Sequence, residues 1–388
     1  MLWGKRALVA VCFVAVTVVG ARQVHGAITY PPPDKGLDFA PLREASTALT
    51  HGRSIYSAPD FVYPPTAAVA LLPTTLESYS RSVDIWLVIS AVAVGLAAGF
   101  AIWPWQRGLM AAFLAVVAAG TVVGSDALTD SLWLGNLSLL LAPIAVGVLL
   151  LYERDHWWEG SALLFASMLI KPLLAPMILV PLLARKWRPL VETGALALAA
   201  LALAVVLVPG GSHFFSVLRY LEAGSSLTGR LVVYNISIFG LTKRLGISGI
   251  GVGVRVVVIV VAVLCIVAWL RRPRRSGDFA ALGAFALVTT LLASALSENH
   301  YLLVVLPCAI LAAALRQLPD LLLLIPGAIV LAVPRSHVGG VGNSAASLQV
   351  RYFLAQLLLA AGTAILVVRA PSTADDAPYE TVALPDPS

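Results

Sequence analysis

Charge is scarce in this chain. Only 12% of its 388 residues are Asp, Glu, Lys or Arg, about half the share of a soluble globular domain, and no stretch has the composition of a soluble domain. Cysteine is scarcer still. Cys12, Cys265 and Cys308 each lie inside an apolar run with no ligand-like spacing, which excludes a disulfide framework and a haem, iron–sulfur or zinc motif. They read as small buried hydrophobes. No nucleotide-binding loop appears, and no convincing repeat relates the two halves.

What is present is apolar. The chain is 59% hydrophobic with a mean hydropathy of +0.90, which places it in a membrane. At about 20 residues per crossing there is room for about 10–12 transmembrane helices. The expected fold is an all-α integral membrane protein, one polytopic unit over residues 1–370. Its net charge of +6 needs no nucleic-acid partner, because most clustered Lys and Arg sit at span ends.

Candidate spans fall at about 7–24, 83–103, 107–124, 135–151, a broken 160–184, 189–208, 250–270, 279–296, 300–315, 319–334 and 349–369. Lys5 and Arg6 before the first span read as the cytoplasmic flank of an uncleaved signal anchor, although a cleavage site is conceivable near Val24-His25-Gly26. The segment at about 25–81 is then the first outer loop. The tail 371–388, acidic and Pro-rich, reads as disordered and cytoplasmic. Trp103, Trp105, Trp157, Trp158, Trp187 and Trp269 all fall at the expected inner boundary.

Lys171 interrupts the apolar stretch 160–184 and is followed at once by Pro172. A cation at mid-span costs about 2.5–3.5 kcal/mol. The proline frees backbone groups that only protein or a wet cavity can satisfy. As one full span, 160–184 would carry Arg185, Lys186, Arg188 and the Arg271-Arg272-Pro273-Arg274-Arg275 run to the outside. As two arms of a hairpin, each about 17 Å long, it returns every basic cluster to the cytoplasm and leaves Lys171 part-way through the bilayer, facing outward.

With this topology the out-of-place polar residues gather on the outer side. They are Asp38, Tyr56 and Tyr63 in the first loop; Asp126, Asp130 and Gly135-Asn136 in the second; His213, Arg219, Glu222, Arg230, Tyr234 and Asn235 in 209–249; and Glu298-Asn299-His300-Tyr301 in the fourth. Each has a plain reading by itself. Asp38 alone is a solvated carboxylate, Tyr63-Pro64-Pro65 a helix start, Asn136 a cap. His300 alone is as readily an interfacial aromatic as a functional group, and His25, His51, His156 and His337 read as surface residues. Asp126 and Asp130, at i and i+4, read first as a solvated helix face, with a shared divalent metal as the sharper alternative. No other cofactor is called for.

Asp38-Phe39, Ile55-Tyr56, Tyr63-Pro64-Pro65, Gly135-Asn136, Leu169 to Pro176, and Ser297 to Tyr301 followed by Pro307 occur in an order that resembles glycosyltransferase family 87, the GT-C-type membrane enzymes of actinobacterial envelope synthesis. The likeness runs from about residue 30 to 330. Lys171-Pro172-Leu173-Leu174 through Trp187-Arg188 is most similar to the α-(1→3)-arabinofuranosyltransferase branch. The resemblance implies a GT-C-like bundle whose outer loops form the site. It implies an inverting transfer of a sugar from a polyprenyl-phosphate donor to a cell-envelope glycan or glycolipid, outside the cytoplasmic (inner) membrane. Asp38 would be the general base, and Lys171, His300 and Arg230 would bind the donor phosphate. Tyr63, Asn136, Asn235, Glu298, Asn299 and Tyr301 would line the substrate. His300-Tyr301 stands between the paired histidines of the mannosyl branch and the tyrosines of the arabinosyl branch, so a polyprenyl-phosphate-mannose-dependent mannosyltransferase is the alternative within the family.

A rival from another class is a transporter or lipid flippase, since broken helices with intramembrane lysines serve those proteins too. Against it stand the missing repeat and the crowding of ionisable residues toward one surface.

Overall fold

The computed structural model describes residues 2–30, 35–101, 109–223, 235–294, 297–332 and 345–369, and the tail 371–388 lies outside them. Among the described residues every element is helical. Among these residues six helices are long and apolar enough to cross a membrane: Val9–Ile28, Tyr79–Phe100, Trp187–Leu207, Ser248–Leu270, Asn299–Arg316 and Leu348–Val368. A seventh span forms if Ala112–Val123 and Asp126–Leu134, bent by 57° at their junction, are one. The protein is a polytopic membrane protein.

Several other expected spans are shorter apolar helices: Ser138–Glu153, Pro172–Leu183 and Asp278–Ala293, and Ile325–Ala332. Ser138–Glu153 and Asp278–Ala293 pack mostly in the interior of the bundle. Asp278–Ala293 buries most of its residues, from Ala280 to Val288 without a break, so nothing requires it to match the bilayer's thickness. The centre is Asn299–Arg316, 83% buried inside the molecule, against 11% for Trp187–Leu207 and for Ser248–Leu270. Those two outer helices turn leucine and valine outward all along their length, as lipid-facing helices do.

Residues 157–183 double back. Trp157–Met168 ends where Lys171 precedes Pro172, whose ring disfavours a helical conformation at the residue before it. Lys171 is accordingly extended, at φ −149° and ψ 118°. A tight helical stretch, Pro172–Ile178, then leads into Leu179–Leu183. The return is visible at the other end, where the Lys186 ammonium lies 5.2 Å from the centroid of the Trp157 ring. The hairpin tip thus points to one end of the bundle and its two feet to the other.

At the end with the feet, ion pairs and a carboxylate cap tie several elements together. Asp278 accepts from Arg272 (2.6 Å) and Arg316 (2.9 Å). Asp320 accepts from Arg369 (3.0 Å). Glu153 accepts from the backbone N–H groups of Gly277 and Ala280 at the start of Asp278–Ala293, where an acid complements the helix dipole.

Candidate active site

The opposite end holds the polar centre, and its floor is a turn. Asp126–Leu134 closes on Gly135 at φ +70°, a left-handed conformation that glycine adopts without steric cost. A Cβ there would lie 2.9 Å from the Cβ of Phe39. The Gly135 carbonyl accepts from the Trp86 indole at 2.9 Å. Two loop amides dock on the same helix end, Gly36 N to Trp133 O (2.7 Å) and Asp38 N to Leu134 O (2.8 Å). Phe39, fully buried, packs on Trp86 with ring centroids 5.2 Å apart. Backbone pinned on one side and an aromatic anchor on the other fix where Asp38 stands.

Asn136 follows the turn. Its Oδ1 accepts from Ser138 N (2.8 Å), and its Nδ2 donates to Asp38 Oδ2 (2.6 Å). Two residues on, the Ser138 hydroxyl accepts from Lys171 Nζ at 2.7 Å. One turn and one helix start therefore hold both the carboxylate and the ammonium.

Lys171 is flanked by aromatic faces, its Nζ 5.1 Å from the centroid of Tyr301 and 5.8 Å from that of Tyr63. Such faces attract a cation while excluding water. Tyr63 is carried by a loop that docks on the broken helix: Thr66 Oγ1 donates to the carbonyl of Leu169, one of the groups the break sets free. Tyr56 steadies this loop by donating to the Tyr63 carbonyl (2.9 Å).

Glu298 and His300 complete the centre. His300 Nε2 lies 3.0 Å from Glu298 Oε2, without the alignment of a hydrogen bond, and the imidazole stands edge-on to Tyr301 at 4.5 Å between centroids. Burial pushes the Asp38 carboxyl above its ordinary value, opposed by the Asn136 hydrogen bond and by the Lys171 charge. Burial raises Glu298 as well, to about 7, again opposed by Lys171 and reinforced by Asp38. The Tyr63 hydroxyl is raised by burial and by both carboxylates. These mutual effects place Asp38, Tyr63, Lys171 and Glu298 in one electrostatic neighbourhood.

Seven of the ten sequence candidates thus meet: Asp38, Tyr63, Asn136, Lys171, Glu298, His300 and Tyr301. Asn235 and Asn299 do not join them. Asn235 turns its Oδ1 to Ser237 N (3.0 Å) and Ser297 N (2.9 Å), bracing the turn that carries Glu298. Asn299 Nδ2 donates to Asp130 Oδ2 at 3.2 Å, away from Lys171. Arg230 lies outside the described residues. Asp126 is engaged by Arg351 at 2.9 Å, and among the described residues no three His, Cys, Asp or Glu side chains cluster as metal ligands. Ser138 and Trp86, which position the two charged groups, carried no signal in the sequence: each reads as an ordinary helix residue.

Fold and site together define a multi-pass membrane protein with a buried acid–amide–cation centre at one end of its bundle. The chain belongs to Glycosyltransferase family 87, whose model matches residues 61–296. That segment includes Tyr63, Asn136 and Lys171 but stops short of Asp38 and the Glu298–Tyr301 turn. Among curated proteins, the chain is 25% identical over 287 residues to an alpha-(1->3)-arabinofuranosyltransferase of Mycobacterium tuberculosis, covering 70% of this chain and 64% of that one. It is 23% identical over 229 residues to the protein of that name from Corynebacterium glutamicum, covering 55% of this chain and 52% of the other. The chain thus spans less than two thirds of the length of these relatives. No solved structure matches it.

Proposed function

We propose that the protein transfers arabinofuranose from a polyprenyl-phosphate donor to a cell-envelope glycan or glycolipid, with the site at the outer face of the cytoplasmic membrane. The observation that carries this reading is the joint placement of Asp38 and Lys171 by the Gly135–Ser138 turn, inside one buried centre.

The chemistry needs a base and an anion holder a short distance apart. The acceptor hydroxyl oxygen bonds to the anomeric carbon while the bond from that carbon to the phosphate oxygen breaks, so the anomeric centre inverts. The hydroxyl proton passes to Asp38. Asn136 occupies Oδ2 of that carboxylate, leaving Oδ1 for the proton, and burial makes it a better base than a solvated aspartate. The leaving lipid phosphate gains charge as the bond breaks. A fixed ammonium in a poorly hydrated pocket stabilises that charge, and Lys171, held by Ser138 between two tyrosines, is that group. His300 adds a donor beside it. Arabinose is favoured by the names of both relatives. Mannose is the second reading, prompted by His300 next to Tyr301.

Purified full-length protein, offered radiolabelled decaprenyl-phospho-arabinose and polyprenyl-phospho-mannose in parallel with arabinan and mannan acceptors, tests this. Label transfer from the arabinosyl donor alone is expected. Transfer from the mannosyl donor alone replaces the sugar, and transfer from neither removes the transferase reading in favour of transport.

A further inference from the structure

Ser248–Leu270 is the most apolar of the six long helices, yet it carries Arg255, seven residues from its start. Gly251, Arg255, Val258, Ala262, Cys265 and Trp269 form the stripe of this helix that turns away from lipid. Arg255 therefore faces the protein, but none of the described residues offers it a partner. Its Nε is sealed from solvent with no hydrogen-bond partner, and no carboxylate among the described residues pairs with it. A guanidinium at that depth demands an acceptor.

Its surroundings point to what the acceptor is. Side chains on a helix lean toward its N-terminus, so Arg255 reaches toward the end of the bundle that holds the polar centre. There Gly251 packs directly against Thr242, beside Lys243 and Arg244 in the last turn of Ile238–Arg244. Lys243 lies 5.7 Å from the Phe239 ring centroid, and Arg244 donates to the neutral Gln349 Oε1 at 3.1 Å. Lys243 and Arg244 thus follow Thr242 directly, Arg255 stands one helical turn beyond Gly251, and among the described residues no carboxylate pairs with any of the three. Asp278–Ala293 packs against both Ser248–Leu270 and Pro172–Ile178, so it stands between this corner and the Lys171 hairpin.

We infer that Arg255, with Lys243 and Arg244 at the rim, holds the phosphodiester headgroup of an anionic membrane phospholipid, at a site separate from the Lys171 centre. The headgroup meets the planar fork of Arg255, and the acyl chains run along the apolar outer surface of Ser248–Leu270. Positive charge recruits the anionic lipid, and the half-buried Arg255 side chain gains a counter-ion.

Native mass spectrometry of the full-length protein, released from detergent after incubation with phosphatidylglycerol, phosphatidylcholine or decaprenyl phosphate, reads this directly. Wild type is expected to keep one phosphatidylglycerol adduct, with phosphatidylcholine retained several-fold less. Arg255→Met loses that adduct and Arg255→Lys keeps a weakened one. Should Arg255→Met fail to fold, Arg244→Gln is expected to lower phosphatidylglycerol retention on its own. A wild type that retains no phosphatidylglycerol overturns the inference, as does equal retention by wild type and the folded variants. Arg255-dependent retention of decaprenyl phosphate that phosphatidylglycerol cannot displace also overturns it, by joining Arg255 to the donor site.

Discussion

Asn136 Nδ2 donates to Asp38 Oδ2 across 2.6 Å, and the backbone of Asp38 is tied to Leu134, at the end of the helix just before Asn136. The amide therefore fixes both the place of the carboxylate and its basicity. Burial raises the Asp38 carboxyl; the amide, by bonding to the charged form, partly lowers it again.

A pH profile follows from that balance. The base must be ionised, so activity falls as pH drops through the pKa of Asp38. Because that value is raised, the acid limb of kcat/KM should lie above the ordinary carboxylate range. Asn136→Leu removes the group that favours the anion, so the limb should move to still higher pH, with a lower plateau. A limb that stays put or moves down would contradict the coupling.

Lys171→Met should insert and fold as wild type does, since it removes a buried cation without leaving a void. It should lose about 10²–10³-fold in kcat/KM if the ammonium stabilises the departing phosphate. Unchanged kinetics would return Lys171 to a structural role.

Gly135→Ala forces a side chain into the left-handed region and against Phe39. The conformation alone costs about 1–2 kcal/mol, to be read as a lower unfolding midpoint in detergent. Because the same turn positions Asp38 and Ser138, turnover should fall more than stability explains.

At the other end of the bundle, Asp278→Ala leaves Arg272 and Arg316 without the carboxylate they share. Breaking a buried pair in this way costs about 3–5 kcal/mol. The site lies far from it, so the protein that does fold should keep its KM.

The sequence made Lys171 legible because a cation followed by proline is anomalous in an apolar stretch, and both the break and the cluster around it follow from that anomaly. Gly135-Asn136 was legible as a helix end, since glycine and asparagine there carry local geometry. Asn235 was not legible as a brace: one of its two acceptor contacts is local, from Ser237, but the other comes from Ser297, 62 positions along the chain. Ser138 and Trp86 were hidden for the same reason. Hydropathy alone does not separate a short helix enclosed by protein, such as Asp278–Ala293, from a long one that faces lipid. Arg255 sat unremarked inside a strongly apolar run, and only its lack of a partner in three dimensions sets it apart.

The central claim is that Asp38 takes the acceptor's proton. Single-turnover label transfer by wild type and Asp38→Asn, with donor binding measured on the same preparations, tests it most directly. Transfer reduced by about 10²–10⁴-fold with donor affinity intact is the predicted result. An Asp38→Asn protein that transfers at the wild-type rate would contradict the account.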